Sequence, residues 1–163
     1  MLRTFRIVIV FLVLCTFAKA EIFEQNTISL GAKYSRGNAL GKDYDVGGIN
    51  INYFIFDGLG IGVEYESWMS SEEPRLEKIG LSTTYFIPLS EPIRPYIGGI
   101  YRRVFIESVY DSDVYGYRAG LSFSSERASI ALGWSEERLS SCSGTQKCVT
   151  GYAEVLISIS FSI

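Results

Sequence analysis

From residue 21 onward the chain alternates between apolar side chains and small or polar ones with a period of two. Ala153, Val155, Ile157, Ile159, Phe161 and Ile163 interleave with Glu154, Leu156, Ser158, Ser160 and Ser162. Tyr115, Tyr117, Ala119, Leu121 and Phe123 interleave with Gly116, Arg118, Gly120, Ser122 and Ser124. Ile28, Leu30, Ala32 and Tyr34 likewise alternate with Ser29, Gly31, Lys33 and Ser35. Successive side chains of a β-strand point to opposite faces, so this is the signature of strands with two unlike faces. No sustained 3.6-residue stripe competes with it.

Eight segments carry the pattern, at about 26–36, 44–56, 59–69, 76–87, 94–106, 113–124, 128–139 and 150–163. Asp57-Gly58 is a strong hairpin signal. Pro88, Pro92 and Pro95 bracket a second tight connection, and Ser124-Ser125-Glu126-Arg127 fill a third. The other four connections, 37–43, 70–75, 107–112 and 140–149, are more polar, so short turns alternate with longer loops. Antiparallel strands of about 9–11 residues suffice to cross a bilayer when tilted, and a closed barrel leaves no unpaired edge in lipid. The fold predicted is all-β: an eight-stranded antiparallel up-and-down transmembrane β-barrel.

Alternation alone does not say which face is outside. The small-residue face holds Gly31, Gly60, Gly62, Gly80, Gly116, Gly120, Gly133, Ser82, Ser122, Ser129, Ser158 and Ser160. Such residues suit the cramped interior of an eight-stranded barrel better than a solvated surface rich in Lys and Glu. The other face carries aliphatic residues with Tyr34, Tyr53, Tyr65, Tyr85, Tyr117, Phe123 and Trp134, several near strand ends where aromatic girdles belong. The alternative is a soluble barrel with this apolar face turned inward.

Residues 1–20 are a different object. Arg3 and Arg6 precede the run Ile7-Val8-Ile9-Val10-Phe11-Leu12-Val13-Leu14, and Ala18-Lys19-Ala20 closes it. A basic start, a short apolar run and an A-x-A site describe a secretory signal peptide, cut between Ala20 and Glu21. Residues 21–163 are then the barrel domain. Losing Arg3, Arg6 and Lys19 leaves 12 basic and 18 acidic residues. Cys142 and Cys148 remain, and an even count in an exported chain reads as one disulfide.

The export signal, the eight alternating strands, the strand opening Pro95-Tyr96-Ile97-Gly98-Gly99 and the last strand with Phe161 resemble the small OmpA/OmpX-type outer-membrane barrels. The likeness spans residues 21–163 and rests on architecture. It implies the outer membrane of a Gram-negative-type bacterium, outer-membrane lipids as surroundings and a barrel-assembly machinery as partner. Barrels of this kind usually finish on an aromatic residue, whereas this chain finishes Phe161-Ser162-Ile163.

Strand parity puts eight charges on the lumen face: Lys33, Glu64, Glu66, Lys78, Arg102, Arg118, Glu137 and Glu154. Four are basic and four acidic, the balance a filled lumen needs, because an unpaired buried ion costs several kcal/mol. Glu66 and Lys78 are expected nearly opposite each other. Of adjacent Arg102 and Arg103 only one can face in. Arg102 is assigned inward and Arg103 to the headgroup level, where its long side chain can snorkel.

The chain has no histidine, which removes His-based triads, His general bases and His metal ligands. Glu64 and Glu66 could be drawn as an acid–base pair, but a side-chain-filled barrel offers no cleft, and a salt-bridge role is the simpler reading. No catalytic, cofactor or metal site is expected, no phosphate loop or nucleic-acid stripe is present, and lipid-modifying chemistry is weakened by the missing histidine. The reading that follows is a non-enzymatic outer-membrane barrel with a structural or surface-interaction role, any extracellular partner meeting loops 37–43, 70–75, 107–112 and 140–149. The alternatives are a narrow pore or conduit for small hydrophobic molecules, and a soluble periplasmic lipocalin-like binder.

Overall fold

A computed structural model describes residues 22–39, 42–70, 75–89, 92–106, 111–140 and 149–162. Their regular structure is all strand: β1 (Thr27–Ala39), β2 (Lys42–Phe56), β3 (Leu59–Met69), β4 (Leu76–Phe86), β5 (Ile93–Ile106), β6 (Ser112–Ser125), β7 (Ala128–Leu139) and β8 (Val149–Ser162). Each strand pairs antiparallel with the next, and β1 pairs with β8, closing the barrel in sequence order. Closure satisfies both edges of every strand, so no row of backbone donors and acceptors is left open.

The β2–β3, β4–β5 and β6–β7 connections, of two, six and two residues, share one end of the barrel, here the turn end, where β1 begins and β8 finishes. Asp57 and Gly58 make a two-residue turn with Gly58 at φ 77°, a left-handed conformation that glycine adopts without a Cβ clash. Glu126 and Arg127 form the equivalent turn between β6 and β7. The opposite, loop end carries connections of two, six, five and nine residues, so the expected alternation of short turns with longer loops holds only in part. There the first hairpin differs from expectation: residues 37–39 and 42–43 are strand, with Gly37 paired to Tyr44 and Asn38 to Asp43. Asn38 Nδ2 donates to Asp43 Oδ1 at 2.9 Å, so polar side chains bridge across the ladder instead of breaking it. Ser112 and Val149, expected in loops, also begin strands.

The sheet is inside out relative to a soluble barrel. Ile49, Leu81, Tyr117 and Trp134 project outward with 62, 56, 52 and 51% of their surface exposed. Tyr53, Tyr85 and Phe123 ring the exterior toward the turn end, while Tyr34, Tyr65, Tyr101 and Tyr115 ring it toward the loop end. Aliphatic side chains such as Leu30, Ile51, Val63 and Leu132 fill the band between. This overturns the soluble lipocalin-like alternative, which needs the apolar face inward: here the lumen holds the charges instead.

Candidate functional site

The lumen has three layers. The middle one is a belt of ionised side chains, and its geometry follows from strand parity. Lys33 comes from β1, Glu64 and Glu66 from β3, Lys78 from β4, Arg102 from β5, Arg118 from β6, Glu137 from β7 and Glu154 from β8. All eight are buried, and Arg102 is fully so. Lys33 Nζ lies 2.6 Å from Glu66 Oε1 and 2.7 Å from Glu154 Oε2. Arg102 is the hub: its guanidinium reaches Glu64, Glu137 and, at 2.9 Å, Glu66. Arg118 Nη2 donates to both oxygens of Glu64 at 2.5 and 2.6 Å, and its Nε stands 3.9 Å from Glu154.

Glu66 and Lys78 are direct cross-strand partners in the ladder. Their side chains nevertheless reach past each other across the lumen. Lys78 Nζ donates to Glu137 Oε2 at 2.5 Å and sits 3.8 Å from the centre of the Trp68 ring. Glu66 accepts from Lys33 and, at 3.1 Å, from Trp68 Nε1. The belt is therefore stitched across the barrel as well as along adjacent strands, so eight separate strand positions depend on one another. Arg103 faces out as assigned, 3.5 Å from Asp111.

Room for these long side chains comes from the small residues opposite them. Gly80 is the ladder partner of Arg102, and a Cβ there would come within 2.5 Å of Arg102 Cγ. At Gly133 a Cβ would collide with the Tyr96 hydroxyl.

Apolar layers bound the belt on both sides. Toward the loop end Tyr44, Val46, Trp68, Leu76 and Tyr152 form one buried cluster, with Ile106 against it. Trp68 and Tyr152 meet edge to face at 5.4 Å, and the Tyr152 hydroxyl donates to Glu137 Oε1 at 2.7 Å. Toward the turn end Ile22, Phe23 and Phe54 form a second cluster, backed by Phe86. The rings that the sequence reading placed outside do lie outside, but it assigned no face to Trp68, Tyr152, Tyr44 or Phe54 and so missed both layers. The signal was available for most of them: Trp68 shares the parity of Glu64 and Glu66, Tyr152 that of Glu154, and Phe54 that of Asn50.

The belt leaves Glu64 and Glu66 bound to cations within a filled interior, an arrangement suited to holding strands together. Among the described residues no group of His, Cys, Asp and Glu side chains could hold a metal ion. Outside the lumen, an open recess of about 740 Å³ at the loop end is lined by Arg36, Asn38, Asp43, Tyr44, Asp45, Met69 and Ser70, among others. Arg36 Nε and Asp45 Oδ1 form an exposed ion pair at 2.8 Å on its wall. Ala20, Glu21, Cys142 and Cys148 lie outside the described residues.

No protein-family model matches the chain, and no curated protein matches it in sequence. Solved structures do match. Neisserial surface protein A (NspA) superposes with a TM-score of 0.63 at 17% identity, covering 82% of this chain and 95% of that one. The N-terminal β-barrel domain of Pseudomonas aeruginosa OprF gives the same score and identity, covering 84% and 98%. Ail, the attachment invasion locus protein of Yersinia pestis, follows with a TM-score of 0.50 at 14% identity, covering 84% and 99%. At such identities the likeness is one of fold: the chain folds as a closed eight-stranded antiparallel barrel, the fold that these small outer-membrane barrels share.

Proposed function

We propose that the chain is an integral outer-membrane protein, non-enzymatic and not an open channel, that presents its loop end at the cell surface. The single observation that carries this reading is the inverted sidedness of the wall. Charges are paired and buried inside, while the outer surface is an aliphatic band between aromatic rings. A soluble barrel would expose that band to water, whereas a bilayer buries it and leaves each end in an aqueous or headgroup layer.

The layers of the lumen support non-conduction. An eight-stranded barrel is just wide enough for side chains to fill, and here a paired ionic belt lies between two apolar clusters. Export by a leader cut between Ala20 and Glu21, and insertion by a barrel-assembly machinery, belong to the same reading. So does a surface role at the loop end, where the Arg36–Asp45 recess opens beside the first hairpin. The similar structures include a surface protein and an attachment invasion locus protein, which agrees with such a role.

Cell fractionation with gel migration before and after boiling tests the location, and planar-bilayer recording tests the lumen. The expected result is outer-membrane recovery, a heat-modifiable band and no stable ionic current. Recovery in the periplasmic fraction would overturn the location, and large, steady single-channel currents would replace the structural reading with a transport one.

A further inference from the structure

We infer that residues 22–26 are a plug that folds into the turn end of the barrel and closes the lumen there. Ile22 and Phe23 precede β1 and take no part in the ladder, yet they are 4% and 2% exposed. Phe23 stacks on Phe86 at 3.9 Å with the rings 16° apart, and meets Phe54 edge-on at 5.5 Å. Arg94 lies over the Phe23 ring at 5.6 Å. The segment thus occupies the mouth as a side chain of the wall would, although it belongs to no strand.

Backbone geometry points the same way. Phe23 and Asn26 stand at φ 70° and 63°, and they are the non-glycine residues with positive φ among those described. The left-handed region is unfavourable for a bulky residue, so a phenylalanine stays there only when its surroundings over-determine it. Here they do. Gly58 N donates to Phe23 O at 2.7 Å, Gln25 N to Asp57 Oδ1 at 2.8 Å, and Asn26 N to Phe54 O at 2.9 Å. With Gln25 Nε2 donating to Ile55 O at 3.0 Å and the Tyr53 hydroxyl to Asn26 Oδ1 at 2.9 Å, five bonds tie the segment to the β2 end and its turn. The Gly58 amide is informative, because in a two-residue hairpin it would otherwise face solvent.

Behind the plug the lumen is polar. Ser122, Ser82 and Asn50 are buried there with side-chain oxygens that have no protein partner. The plug accordingly separates these buried polar side chains from bulk solvent, and the ionic belt bounds them on the other side. Two barriers stand in series, so removing the plug exposes those side chains without opening a path through the barrel.

The test is thiol labelling of the folded full-length chain with Ser122→Cys, its native Cys15, Cys142 and Cys148 replaced by serine. With Phe23 present, a small methanethiosulfonate reagent is expected to react slowly. With Phe23→Ala the rate is expected to rise at least about tenfold, while planar-bilayer currents stay absent. Equal labelling rates would overturn the plug, and steady currents in Phe23→Ala would overturn the second barrier. Heat-modifiable migration reports whether Phe23→Ala folds. If it does not, hydrogen exchange of the unsubstituted chain decides: the Gly58 amide is expected to exchange as slowly as neighbouring strand amides, and exchange at the rate of an open turn refutes a seated plug.

Discussion

Replacing Arg102 with methionine is the sharpest perturbation of the ionic belt. Arg102 is fully buried and its guanidinium meets Glu64, Glu66 and Glu137. Methionine keeps much of the volume but removes the charge, leaving Lys33, Lys78 and Arg118 to face four carboxylates. Removing one partner from a buried pair costs about 3–5 kcal/mol, because the charge left behind is neither solvated nor paired. The barrel has one escape, which is to take up a proton on the stranded carboxylate. For an ordinary glutamate titrating near 4.3 this costs about 3.7 kcal/mol at pH 7, so the loss is expected to be about 3–4 kcal/mol there.

The escape also fixes the sign of the pH dependence. The folded variant would hold one proton more than the unfolded chain, so its deficit relative to the parent shrinks by about 1.4 kcal/mol per unit as pH falls from 7 toward the ordinary glutamate range. Urea unfolding in lipid vesicles, followed by tryptophan fluorescence, reads both quantities; buried Trp68 lies against Lys78 and reports on the belt directly. Arg103→Met is the control, since Arg103 faces outward and its ion pair with Asp111 is exposed, and a change within about 0.5 kcal/mol is expected. An Arg102→Met midpoint equal to the parent's at pH 7, or an equal deficit at pH 5 and pH 7, would refute the belt as a stabilising network.

Leu81 sits in the middle of the exposed aliphatic band, so Leu81→Arg is expected to destabilise the barrel in bilayers by about 2–4 kcal/mol, whereas Met69→Arg, at the loop end, costs about 0–1 kcal/mol; equal costs in the same urea assay would place the band out of lipid. Gly80→Leu forces carbon into the space of the Arg102 stem and is expected to cost about 1–3 kcal/mol or to abolish the heat-modifiable band, and a parent-like midpoint would contradict the packing. Cys142 and Cys148 are expected to form a disulfide closing a short ring, worth about 2 kcal/mol on the chain-entropy model, so the barrel survives reduction; intact mass after alkylation counts the thiols, and two free ones in envelope protein end that proposal.

Strand parity explains how much of this was legible beforehand. A period of two assigns every side chain to one face, so once the small-residue face is taken as interior, Lys33, Glu64 and Arg118 have no other place to go. Even the Arg102–Arg103 choice reduces to parity. What parity does not supply is reach. Lys78 is the ladder partner of Glu66, yet its ammonium crosses the lumen to Glu137, a choice made by packing against Trp68 and Tyr152. The apolar layers were legible only through parity, which puts Trp68, Tyr152 and Phe54 inside, because by composition alone a lumen ring looks the same as a girdle ring. Ile22 and Phe23 were hidden for a different reason. They lie before the first strand, outside any period, and their burial depends on a backbone conformation that no sequence pattern announces.

The wall itself can be read with the two tryptophans of the chain, which stand on its opposite sides: Trp134 is half exposed on the outer face and Trp68 is fully buried in the lumen. In vesicles whose lipid chains carry bromine, a collisional quencher confined to the hydrocarbon, the Trp68→Phe variant retains Trp134 and is expected to lose most of its fluorescence. The Trp134→Phe variant retains Trp68 and is expected to keep nearly all of it. Quenching of Trp68 with Trp134 spared, or quenching of neither, would contradict a lipid-facing outer wall around a filled lumen.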